Sequence, residues 1–149
     1  MKATTKLLLL TALLALTWAC SKTSDNNPDP NNSPDKVEQV NGTWYVSYYF
    51  DSGKDETHNY NGYSFTFELN GTLSSSSGSG SFSGTWRIGD HSSDDDNSSN
   101  RFIISIAGNK QMDDLADDWV IISITDNEIS LKDDNPESME ELKFSRKNQ

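Results

Sequence analysis

The sequence predicts an all-β fold, a small antiparallel barrel or a two-layer sandwich, and three observations carry that expectation. From residue 41 onward apolar side chains recur with period two in eight short segments. Turn-forming residues, chiefly Asn, Gly, Asp and Ser, separate those segments. No stretch after residue 41 has the 3.6-residue period of a convincing amphipathic helix. Residues 41–146 are near the size of one domain and too few for two.

The first predicted strand, 43–51, sets Trp44, Val46, Tyr48 and Phe50 on one face. The second, 62–69, alternates Tyr63, Phe65, Phe67 and Leu69 with Ser64, Thr66 and Glu68. Asn70-Gly71 then suits a tight hairpin, because both residue types tolerate positive φ. A weak third strand, 72–76, is expected to break up into a serine-rich loop over 74–81. Strands follow at 82–88, with Phe82, Gly84, Trp86 and Ile88 on one face, and at 101–107, with Phe102, Ile104 and Ile106 inward. In the sixth, 119–125, the unbroken apolar run Val120 to Ile122 leaves the buried face ambiguous. The seventh, 128–132, follows a turn at Asp126-Asn127 or Asn127-Glu128, and the eighth, 141–146, points Leu142 and Phe144 one way and Lys143 and Ser145 the other.

The beginning of the chain reads as an export signal. Lys2 and Lys6 give a positive start, residues 7–16 an apolar core, and Ala19 a small residue before a cleavage point. The apolar run is shorter than the roughly 20 residues that span a bilayer. Cys20 is the only cysteine, so no internal disulfide is available to an exported chain. Residues 21–39 are rich in Asn, Asp, Ser and Pro and nearly devoid of apolar groups, which predicts a flexible tether. The expected organisation is therefore a signal peptide at 1–19, a tether at 20–40, and one domain at 41–149.

The stretch Leu16-Thr17-Trp18-Ala19-Cys20 resembles a bacterial lipobox, although Thr17 stands where leucine is usual. The resemblance implies cleavage before Cys20, diacylglycerol on its thiol and a further acyl group, such as palmitate, on the new amino terminus. Several acyl chains together anchor a protein stably. Gly42-Thr43-Trp44 at the start of the first strand looks like the Gly-x-Trp signature of the lipocalins, and Arg146 stands where that family places an arginine over the tryptophan. Leu115-Ala116-Asp117-Asp118-Trp119 and Gly84-Thr85-Trp86 also resemble the small lipocalin-like domains of Gram-negative lipoproteins. The resemblance favours an eight-stranded up-and-down barrel closed at one end by Trp44 and Arg146, with a β-sandwich as the alternative. Asn127 replaces the tyrosine of the lipocalin Thr-Asp-Tyr motif, and the helix that follows the barrel in full-length lipocalins is missing.

No catalytic constellation is present: His58 and His91 lie in polar stretches, and the serines 74–77 have no histidine fixed beside them. The acidic runs at 94–96 and at Asp113, Asp114, Asp117 and Asp118 lack the pattern of an EF-hand and are read as solvated loops, so no metal and no cofactor are expected. Without Lys2 and Lys6, ten basic residues face 23 acidic ones, a net charge of −13 that repels phosphate backbones and argues against nucleic acid. All five tyrosines lie between residues 45 and 63. An eight-stranded barrel is just wide enough to be filled by side chains or to hold one small ligand. The expectation is a non-catalytic, envelope-anchored binding protein, with Tyr48, Phe50, Tyr60 and Tyr63 contacting an apolar or amphipathic ligand at the barrel mouth. The alternative is a protein-interaction module, an inhibitor or accessory subunit of an envelope complex. Residence in the outer membrane is expected, on either its periplasmic or its outer face.

Overall fold

A computed structural model describes residues 34–89, 101–135 and 137–146. The predicted signal peptide, Cys20 and the acidic run at 94–96 lie outside the described residues. Among the described residues nine strands form one antiparallel sheet: β1 Gly42–Asp51, β2 Lys54–Asp55, β3 Ser64–Phe67, β4 Thr72–Ser77, β5 Gly80–Gly89, β6 Arg101–Ile106, β7 Asp118–Ile124, β8 Glu128–Lys132 and β9 Glu141–Ser145. Each strand from β3 onward pairs with the next, and β9 returns to pair with β1. The two-residue β2 only extends the end of β1. Eight strands therefore close an up-and-down barrel, which leaves no long sheet edge unpaired.

The ladder is strongly staggered, as closure requires. Following paired residues from Gly42, at the start of β1, leads through Phe67, Leu73 and Gly84 to Ile106, at the opposite end of β6. Gly84 sits where two strands press together, and a Cβ there would meet the backbone of Ser105 and Ile106. The lumen is filled with rings. Phe67 makes edge contacts at 5.5–5.6 Å with Trp86, Phe102 and Phe144, while Trp86 stacks on Phe102 at 5.5 Å. Each such pair adds to the area term of burial.

Four features depart from the sequence reading. The serine-rich run is not a loop: β4 and β5 are continuous to Ser77 and from Gly80, joined by a two-residue turn. Its alternate side chains still bury Leu73 and Ser75, and backbone pairing carries the rest. The last part of the expected tether is the helix α1, Pro34–Val40, which seals one end of the barrel with Val40 fully buried and Val37 packed on the core. Residues 110–115, expected as loop, form α2, Lys110–Leu115, capped by the Asn109 side chain accepting from the Met112 amide at 3.0 Å.

The fourth departure is a register shift in β1. Val46 pairs with Phe144 but Tyr48 pairs with Lys143, so Ser47 is an extra residue, a β-bulge. Such an insertion reverses the inward face. Trp44 and Val46 face the core before it and Tyr49 after it, with Tyr49 only 2% exposed. Tyr48 and Phe50, expected to point inward with Trp44, stand on the outer wall. A similar shift at Ile122 in β7 resolves the ambiguous face there: Trp119 and Ile121 are buried and Ile122 is exposed.

Candidate functional site

The two ends of the barrel differ in what closes them. At the end where β1 begins, the Arg146 guanidinium lies 4.0 Å from the centre of the Trp44 ring. Its Nε donates to the Asp126 carbonyl at 3.1 Å and its NH2 to the Gln39 carbonyl at 2.7 Å. The Trp44 indole N–H donates to the Val40 carbonyl at 2.6 Å. One planar cation thus ties the end of the chain to α1 and to the β7–β8 turn while covering an indole. Gly42 is required beside it, with φ +120 and the guanidinium occupying the space where a Cβ would stand.

The opposite end, the predicted mouth, is stoppered by α2 and the short 3-10 helix Thr57–Tyr60. Met112 and Leu115 of α2 are buried. Three tyrosines hold the stopper: Tyr49 donates to the Asp114 carbonyl at 3.4 Å, Tyr60 donates to the Gln111 carbonyl at 3.3 Å, and Tyr63 accepts from Asn109 Nδ2 at 2.9 Å. Burial, with carboxylates nearby, raises the pKa values of Tyr49 and Tyr60, so both keep the protons these bonds need. Tyr60 and Tyr63 therefore sit at the mouth as the sequence predicted, but they are engaged in closing it.

Tyr48 and Phe50 line a groove on the outside instead. Their rings lie nearly parallel, 6.3 Å apart. With Lys132, Asp133, Asp134, Met139, Glu140 and Glu141 they border a space of about 540 Å³ under the β8–β9 loop. The Lys143 ammonium stands 5.5 Å from the Tyr48 ring centre. Arg101 pairs with Asp134 at 3.0 Å. Met139 is 65% exposed and held at φ +50, a left-handed conformation uncommon for a methionine. Nothing in the sequence joins Met139 and the acidic wall to Tyr48 and Phe50, because only the bulge at Ser47 brings them to the same side.

The acidic wall has an electrostatic consequence. Partial burial, then the charge of Asp51 and a hydrogen bond with it, then Asp133 and Asp117, push Glu140 up to about 7 from the ordinary 4.5. Between those values the folded chain holds a proton that the unfolded chain releases. Stability should therefore fall as pH rises from about 4.5 to about 7. Glu140→Gln should flatten that part of the pH–stability curve and raise the melting temperature above pH 7, both readable by thermal denaturation across a pH series.

Among the described residues no group of three or more His, Cys, Asp or Glu side chains is placed to hold a metal ion, and no helix is long and apolar enough to cross a membrane. His58 is exposed in the 3-10 helix; His91 lies outside the described residues.

No family model matches the chain, and no curated protein matches it. Among solved structures it is similar to a DUF4847 family protein from Bacteroides vulgatus, with a TM-score of 0.54 and 15% sequence identity over 74% of this chain and 95% of that one. At that identity the likeness is one of fold, a second β-rich chain arranged in the same way.

Proposed function

We propose that this chain is a lipid-anchored, non-catalytic interaction protein of the bacterial envelope, built on a lipocalin-like barrel and working through the outside of that barrel. The observation that carries the reading is the inversion at Ser47. The mouth is stoppered by α2 and the lumen packed with rings, whereas Tyr48 and Phe50 are displayed on the outer wall. A small apolar ligand in the lumen would have to displace both the stopper and the Phe67 cluster. The lipocalin likeness draws support from the Gly42, Trp44 and Arg146 arrangement. The acidic net charge speaks against a nucleic-acid partner.

The anchor reading rests on the lipobox-like sequence ending in Cys20. Since α1 enters at the Trp44 end, an anchored barrel would present the groove end away from its tether. Metabolic labelling with a fatty acid should mark the wild-type chain and leave Cys20→Ser unmarked; equal labelling of both would refute the anchor. For the interaction itself, a photo-crosslinking residue placed in living cells at Tyr48, Ile122 or Thr85 samples three outer faces. A partner adduct from at least one position is expected. Adducts from none, together with a small molecule retained in native mass spectrometry, would return the function to the lumen.

A further inference from the structure

The groove beside β1 and β9 has a chemistry that selects its occupant. Its floor is aromatic, Tyr48 and Phe50, and its lip is Met139, a flexible thioether that adapts to the shape of an apolar partner. Its wall carries four carboxylates, Asp133, Asp134, Glu140 and Glu141, beside the ammonium of Lys132. Arg101 offsets Asp134, and Lys143 stands over Tyr48. Asp51, from the end of β1, adds a further carboxylate beside Glu140. The balance stays negative and close-packed.

We propose that this groove docks an extended segment of a partner protein in which an apolar side chain lies next to arginine or lysine. The proposal rests on the interaction reading above and gives that surface its place and its partner chemistry. Charge complementarity is the main argument. A cation at the wall would offset carboxylates that now crowd one another. Burial first, and then the charges of Asp51, Asp133 and Asp117, raise the affinity of Glu140 for a proton, so part of that rise reports the same crowding. The apolar neighbour would lie on Phe50 under Met139.

The test uses the mature chain, purified from its own membrane in neutral detergent, and labelled decapeptides read by fluorescence anisotropy. One alternates leucine with arginine, one leucine with glutamate, and one leucine with serine. The arginine peptide should bind at least about tenfold more tightly than either of the others, a difference of about 1.4 kcal/mol. Its affinity should weaken as salt rises from about 0.01 M to about 0.15 M, where screening shortens from roughly 30 Å to roughly 8 Å. Tyr48→Ser and Met139→Ser should each weaken it severalfold without moving the melting temperature by more than a few degrees, because both side chains lie outside the core. Ile122→Ser, on another face, should leave it unchanged. Equal binding of the glutamate peptide, indifference to Tyr48→Ser, or tighter binding of maltohexaose than of the arginine peptide would each overturn the proposal. A partner crosslinked in cells from Ile122 or Thr85 but not from Tyr48 would also overturn it while leaving the interaction reading in place.

Discussion

Replacing Trp44 with alanine should destabilise the barrel by about 3–5 kcal/mol, the usual cost of emptying a large aromatic core site. Trp44 is completely buried, and its indole N–H has a partner in the Val40 carbonyl at 2.6 Å. Truncation would therefore leave a cavity, strand that carbonyl, and remove the surface on which the Arg146 guanidinium rests. Arg146→Ala should cost less, since it leaves the indole packed on its inner side. Arg146→Lys should lie between the wild type and Arg146→Ala, because an ammonium keeps the charge but not the planar fork that reaches the Gln39 and Asp126 carbonyls together. Urea unfolding of the four proteins, followed by tryptophan fluorescence, gives the order. A loss below about 1 kcal/mol for Trp44→Ala would mean that α1 and Arg146 do not brace this end of the barrel.

That end was legible through the likeness of Gly42-Thr43-Trp44 and Arg146 to the lipocalin signature: a glycine where a cation passes, an indole two residues later, and an arginine at the close of the last strand. The eight-strand alternation was legible from the residues themselves, since burial on one face of a pleat imposes period two. What escaped reading was decided by backbone pairing rather than side-chain type. Ser74 and Ser76 have nothing apolar to announce a strand, yet their neighbours Leu73 and Ser75 face the core and the ladder continues through them. Ser75 is buried with its hydroxyl unpartnered, which shows how far pairing outweighed side-chain preference there. The bulge at Ser47 left no mark in a run of aromatics that reads well in either register, and it moved Tyr48 and Phe50 from the inner wall to the outer one. Two helices did leave marks. Ser33-Pro34 has the form of a helix start, and Asn109, three residues before Met112, that of an N-cap. Both were masked by polar composition that reads as linker.

Phe67→Ala should also cost about 3–5 kcal/mol, and for a different reason. Phe67 is fully buried and touches three other rings from three other strands, Trp86, Phe102 and Phe144. In an open sandwich the two layers can settle toward a void. In a closed barrel the wall is a ring of hydrogen bonds whose circumference is fixed by strand number and stagger, so the lumen has little freedom to shrink. The loss should therefore fall toward the upper end of that range, because residual cavity volume adds to the transfer term. Deleting the ring also deletes its edge-to-face pairing, which is worth about 0.5–1.5 kcal/mol per pair beyond the burial term. A void lined by Trp86, Phe102 and Phe144 should stay dry and accept a small apolar molecule. Saturating benzene should then raise the melting temperature of Phe67→Ala and leave that of the wild type unchanged. Equal responses in the two proteins would show either that the wild-type lumen already has room for a ligand or that the wall collapses onto the void.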